Sequence, residues 1–176
     1  LKDEPTLQYI HDSWDIAMST LTPEQRRVWD DSYGRKNRDF LADRPEGKEL
    51  LRWKYQRYIH DYCRTIRSVD DQIGRVLDYL EESGLMDNTL IVYTSDQGFL
   101  LGEHGLYDKR FMYEESFRTP LVMRLPGGAR GDIVEMVQNI DYAPTFLELA
   151  GVPVPDDIQG VSLLPLLRGE HPAGWG

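Results

Sequence analysis

An acid, an amide, an imidazole and an amine fall within fourteen residues of the stretch YTSDQGFLLGEHGLYDKRFMYEE, residues 93–115. Asp96 offers a hard anionic oxygen and Gln97 a neutral one, donor types that suit Ca2+ or Mg2+. His104 and Lys109 follow in the same loop. Taken singly, each has a plainer reading. Asp-X-Gly is a common turn, with Gly98 letting the backbone bend sharply. A histidine among glycines is commonly solvated, and a lysine beside Arg110 is an ordinary surface cation. Glu114 and Glu115 read as the face of a helix. The place of the group changes its weight: it follows the apolar run LIV, and in open α/β sheets ligands bind beyond the carboxyl ends of the strands.

The elements that must position this loop are legible on both sides of it. TPEQRRVW, from residue 22, starts a helix, with Thr22 as cap and Pro23 at its first position. Residues 34–48, polar with Gly and Pro, are expected to be loop. A long amphipathic helix is predicted over 49–83, with Ile59, Tyr62, Cys63, Ile66, Val69, Ile73, Val76, Leu77 and Leu80 on one face at three-four spacing. Gly84 ends it. TLIVYT reads as a strand buried on both faces. TPLVMRL is its expected neighbour, with the long helix packed on their sheet, and VEMVQNI (134–140) is a weaker third strand. Asp141 is expected to cap the helix DYAPTFLELAG, with Pro144 in its first turn and Gly151 beyond its end. The Pro- and Gly-rich tail is expected to run over the surface. Helix, strand, loop, strand, helix is an α/β pattern with a parallel or mixed sheet.

The 176 residues suit one domain or a large part of one. The net charge of −10 argues against nucleic acid or an anionic membrane as main partner. An anionic substrate would have to be met by local cations. No apolar run reaches transmembrane length, and the first residues do not form a signal peptide. The single cysteine, Cys63, precludes an intrachain disulfide.

The segment SDQGFLLGEHGLYDKRFMYEESFRTPLVMRLPG resembles the type I sulfatases of the alkaline phosphatase superfamily, with wording similar to bacterial members and the iduronate-2-sulfatase-like branch. The resemblance extends upstream through YIHDYCRTIRSVDDQIGRVLDYLEESGLMDNTLIVYT and downstream through NIDYAPTFLELAGV and IQGVSLLPLLRG, about residues 55–169 in all. It implies an alkaline-phosphatase-like α/β domain, its mixed sheet sandwiched by helices. Residues 1–48 would form its lead-in and 49–151 its core, with 152–176 a surface segment leading toward a smaller subdomain. It also implies a sulfuric ester hydrolase acting on a sulfated small molecule or glycosaminoglycan-type sugar, in a periplasmic or secreted parent protein. By the same resemblance Asp96 and Gln97 match the later pair of calcium ligands. Lys109, thirteen residues after Asp96, matches the lysine that binds the sulfate ester. His104 matches a histidine near the substrate in GEHG-type members. Arg118 and Pro120 look structural. The amide at Gln97 favours an oxygen-liganded metal over the Zn2+ and histidine of the phosphatase relatives.

The family's nucleophile, a formylglycine made from Cys or Ser in a C/S-x-P-x-R motif, finds no match. Cys63-Arg64-Thr65-Ile66-Arg67 has Thr where Pro is required, and the helical pattern makes Cys63 a buried structural thiol. The early acid pair that completes the metal site is also absent. The chain is therefore expected to be an interior fragment with half of an active site, inactive alone. A phosphonate or phosphate ester hydrolase, a phosphoglycerol transferase, and a non-catalytic binding module are the competing readings.

Overall fold

The computed structural model describes residues 14–175, which fall into two units divided between Tyr58 and Ile59. The elements are α1 (Trp14–Ser19), α2 (Pro23–Ala42), α3 (Gly47–Glu82), β1 (Ile91–Thr94), β2 (Leu100–Leu101), β3 (Tyr107–Asp108), α4 (Glu114–Phe117), β4 (Leu121–Arg124), α5 (Tyr142–Leu149) and α6 (Leu164–Leu167). The fold class is α/β, as expected.

In the first unit, Thr22 and Gln25 form a reciprocal capping box at the start of α2, which satisfies two orphan amides. The loop expected over 34–48 is largely helix: α2 runs through Gly34 to Ala42. One glycine costs a helix only about 1 kcal/mol, and the element stops just ahead of Pro45. The start of α3 meets α2 through Phe40 stacked on Trp53 at 4.0 Å, and through Arg57, which lies 4.7 Å over Tyr33 and donates to Asn37.

In the second unit α3 continues to Glu82, and the chain reverses at Gly84 as the Leu85 amide donates to the Leu80 carbonyl. The amphipathic pattern forms its helix, but the expected packing does not follow. No residue of α3 is buried, and Ile66, Val69, Val76 and Tyr79 are exposed. Cys63 is likewise exposed rather than a buried thiol. The apolar stripe has no extended partner among the described residues; Tyr62 stacked on Phe99 is a local contact.

β1 and β4 are neighbours, as expected, and pair antiparallel with Ile91 opposite Arg124 and Thr94 opposite Leu121. β1 is not buried on both faces: Ile91 and Val92 are half-buried, while Tyr93 and Thr94 are exposed. Among the described residues the sheet has only these two strands, and Val122 on β4 is exposed. VEMVQNI forms no strand. Its polar groups are engaged otherwise: the Val134 amide donates to Glu135, whose carboxylate meets His171 at 2.6 Å, and Trp175 Nε1 donates to the Met136 carbonyl.

The tail reverses another expectation. Leu163, Leu164, Leu166 and Leu167 form the buried cluster of the unit, with Leu121, Met123, Leu125 and Val137 packed against it. What draws the tail inward is polar. Asp141, 7% exposed, does not cap α5; its Oδ2 accepts from the Gln138 amide at 2.7 Å and its Oδ1 from the Val161 amide at 2.8 Å. Thr145 donates to the Asp141 carbonyl and accepts from the Leu163 amide at 2.8 Å. Gly160 lies so close that a Cβ there would fall 2.1 Å from the Ile140 carbonyl oxygen. The tail is thus bonded in register to the entrance of α5 before its leucines are buried.

Asp141→Ala leaves two amides without an acceptor in a buried place, so it should destabilise the protein by about 2–3 kcal/mol, and Asp141→Asn by about half of that. Denaturant midpoints of the three proteins measure this; an Asp141→Ala loss within about 0.5 kcal/mol, the range of ordinary surface substitutions, would refute the role.

Candidate active site

The Ser95–Gly98 turn leaves the end of β1 with its backbone tied and the side chains of Asp96 and Gln97 free. The Ser95 hydroxyl donates to the Gln97 carbonyl at 2.6 Å and accepts from the Gln97 amide at 3.3 Å. The Asp96 carbonyl accepts from Asn139 Nδ2 at 3.2 Å. The Gly98 amide donates to the Ser116 carbonyl at 2.9 Å, and a Cβ on Gly98 would sit 2.0 Å from the Glu115 carbonyl oxygen. Glycine is needed here for the approach of two backbones rather than for a sharp bend. The Asp96 carboxylate and the Gln97 amide group have no hydrogen-bond partner among the described residues. They are two adjacent oxygen donors presented by a fixed backbone.

The second part of the site is a hairpin. β2 and β3 pair antiparallel, with Leu100 opposite Asp108, and the fully buried Leu100 anchors them. The Glu103 carboxylate accepts from its own amide and from the Leu101 amide, and these bonds, its own amide's foremost, hold its pKa below the ordinary value. Among the described residues, His104 and Asp108 are the non-glycine positions with positive φ, at 56° and 85°. Such conformations cost about 1 kcal/mol or more each and persist where surroundings impose them, often at functional loops. At His104 the surroundings are a stack on Tyr113, with centroids 4.1 Å apart, and Glu115 Oε1 at 3.4 Å from Nε2. At Asp108 both oxygens are taken, Oδ1 by the Lys109 amide at 2.8 Å and Oδ2 by Arg110 Nε at 2.9 Å.

That last arrangement has an electrostatic consequence. The carboxylate next to Lys109 is neutralised by Arg110, and the Lys109 ammonium makes no hydrogen bond or ion pair among the described residues. Arg110 is exposed but ion-paired. Lys109 therefore stands exposed with its charge available to an external anion.

Asp96 and Gln97 lie side by side, and α4 links them to His104: Ser116 receives Gly98, and Glu115 faces His104. Lys109 lies at the exit of the hairpin that carries His104. Among the described residues no group of three or more His, Cys, Asp and Glu side chains is arranged to hold a metal ion. The Asp96–Gln97 pair fits part of a calcium shell, since its donors are unclaimed oxygens, but two are fewer than the six to eight that calcium takes. Cys63, in the body of α3 and followed two residues on by Thr65, does not fit a formylglycine site. Sequence reading missed Asn139, Tyr113 and the engagement of Glu115 with His104. Asn139 is 43 residues from Asp96, a contact with no local signal. The charge run Asp108-Lys109-Arg110 did carry a signal for the ion pair.

The Arg110 hydrogen bond is the main cause that lowers the Asp108 pKa below 3.8. A depressed folded pKa stabilises the protein above the unfolded value, near pH 4, and that contribution is lost as pH falls through the folded value. Arg110→Ala should therefore move the Asp108 titration upward. Carbon-detected NMR of the side-chain carboxyl reads this directly, and an unmoved midpoint would show that the ion pair does not form.

Comparison with known proteins fits the loop into a family. The family described as N-sulphoglucosamine sulphohydrolase, C-terminal, matches residues 102–176. The N-acetylglucosamine-6-O-sulfatase of Bacteroides thetaiotaomicron is 52% identical over 161 residues, 88% of this chain and 28% of its own length. A solved structure of a protein in complex with its substrate D-glucosamine-2-N,6-O-disulfate superposes with TM-score 0.79 at 47% identity, covering 90% of this chain and 33% of that one. The phosphonate monoester hydrolase of Silicibacter pomeroyi superposes at 0.58 and 43% identity over 61% of this chain and 22% of its own. The chain thus spans about a third or less of the relatives it matches. The α/β elements around the loop are those of the alkaline-phosphatase-like fold, and the chain is similar over most of its length to part of the type I sulfatases of the alkaline phosphatase superfamily.

Proposed function

We propose that this chain is part of a sulfuric ester hydrolase acting on a sulfated amino sugar of the glucosamine 6-O-sulfate class. The observation that carries the reading is the hairpin exit: an unpaired ammonium at Lys109, directly after the strained His104 and Asp108, on a loop linked through α4 to two unclaimed oxygen donors. Support for the sugar comes from the extent of likeness to a glucosamine-type sulfatase, 88–90% of the chain. The iduronate-2-sulfatase-like branch has no such support.

In this reading Lys109 binds the sulfuryl oxygens and offsets the charge that gathers there as the S–O bond breaks. A preorganised cation does this better than water, which must reorient. His104, fixed by Tyr113 and Glu115, lies beside the ester and orients it. Asp96 and Gln97 contribute two ligands to a calcium ion, which when bound would supply Lewis-acid polarisation of the same oxygens. A formylglycine nucleophile belongs to the family pattern, and none of this chain's residues is proposed for it.

The second reading, a phosphonate or phosphate ester hydrolase, is favoured by the Silicibacter likeness, though over 61% of the chain rather than 90%. Sulfate release from glucosamine 6-O-sulfate, set against hydrolysis of an aryl phosphonate monoester by the full-length protein, separates the two. Faster turnover of the phosphonate would reverse the assignment.

Lys109→Ala in the full-length protein should lower kcat about a hundredfold or more, on the order of 2–4 kcal/mol, by analogy with loss of one oxyanion donor. Lys109→Arg should restore only part, because a planar fork does not replace a point charge in a tight site. Near-normal turnover of Lys109→Ala would remove Lys109 from the site.

A further inference from the structure

The Asp96–Gln97 turn is steadied from a part of the chain that carries no ligand of its own. Thr94 Oγ1 and the Tyr142 hydroxyl lie 2.8 Å apart, and Asn139 Nδ2 donates to the Asp96 carbonyl at 3.2 Å. Both partners belong to the entrance of α5, the turn Asn139–Asp141 and the first residue after it. This is also the place where Asp141 and Thr145 secure the tail. Asn139 reaches the backbone of Asp96 and leaves the carboxylate free, so it can set where that carboxylate points without competing for what it binds.

We infer that Asn139 is a positioning residue for cation binding. It joins the hydrogen-bonded entrance of α5 to the backbone of the metal-ligand pair, and holds Asp96 in the orientation that a cation requires. The inference rests on the reading of Asp96 and Gln97 as calcium ligands. A cation bound by few protein ligands loses affinity when one of them swings freely, since the entropy of fixing it must then be met on binding. Groups outside the ligand shell that orient ligands are typically worth ten- to a hundredfold in metal affinity.

The test is calcium titration by calorimetry on the full-length protein after chelator treatment, with the melting temperature of each calcium-free protein recorded beside it. Asn139→Ala should weaken calcium binding about ten- to a hundredfold. Asn139→Leu, of similar size, uncharged and lacking the amide donor, should do the same, and serves if the alanine variant does not fold. Sulfate-release activity of either variant should recover at saturating calcium. Trp175→Phe, which breaks the bond to the Met136 carbonyl in the same unit, should lower the melting temperature and leave calcium affinity unchanged. Wild-type affinity in both Asn139 variants, or equal weakening in Trp175→Phe, would overturn the positioning role. Asp96→Asn separates this failure from that of the site itself. If it loses affinity while the Asn139 variants do not, only the positioning inference falls; if it binds calcium as wild type does, the ligand assignment falls and the inference with it.

Discussion

The Asp141 carboxylate has one oxygen on the amide of Gln138 and the other on the amide of Val161, twenty residues later in the chain. Those two bonds decide much of the second unit. They close the turn at the entrance of α5, and they bring the tail back across it, so that Leu163–Leu167 can bury against the inner residues of β4. Apolar burial supplies most of the driving force in such a cluster, but it is not directional. The carboxylate sets the register in which the leucines arrive.

The candidate site draws on that order without sharing its residues. Loops need a scaffold to hold chemistry in place, and this one has two: α4, which receives the Gly98 backbone and faces His104, and the α5 entrance, which reaches Thr94 and Asp96. The bonds on the Asp96–Gln97 turn are made to backbone groups, so its side chains remain uncommitted. The hairpin differs. There the side chains of His104 and Asp108 are themselves engaged, and what remains uncommitted is the ammonium between Asp108 and Arg110.

What was legible in the sequence followed local periodicity and end signals. Thr22 with Pro23 marked the start of α2, the three-four stripe gave α3, and the apolar runs gave β1 and β4. What was not legible depended on partners distant in the chain. The stripe of α3 predicts a buried face only if something covers it, and among the described residues nothing does; Cys63 is exposed for that reason. VEMVQNI has a strand-like composition, yet its groups pair with a histidine and an indole from the tail. The tail was misread because prolines and glycines suggested surface. SLLPLL holds four leucines around a proline that sits in the first turn of α6, where a missing amide donor costs nothing. Asp96, Gln97, His104 and Lys109 could be nominated from residue type and place, whereas Asn139 and Tyr113 became visible only through contacts.

The Asp108–Arg110 pair also fixes how the loop behaves in acid. Its carboxylate is held below the ordinary range by the guanidinium beside it, and a guanidinium does not titrate in water. The pair therefore stays electrically balanced down to pH values at which most surface carboxylates have begun to take up protons. A sulfate monoester keeps its single negative charge over the same range. The charge that this pair itself contributes beside such a ligand therefore changes less on moderate acidification than that of an unpaired carboxylate. A bend in an activity profile across that range reports on groups other than this pair.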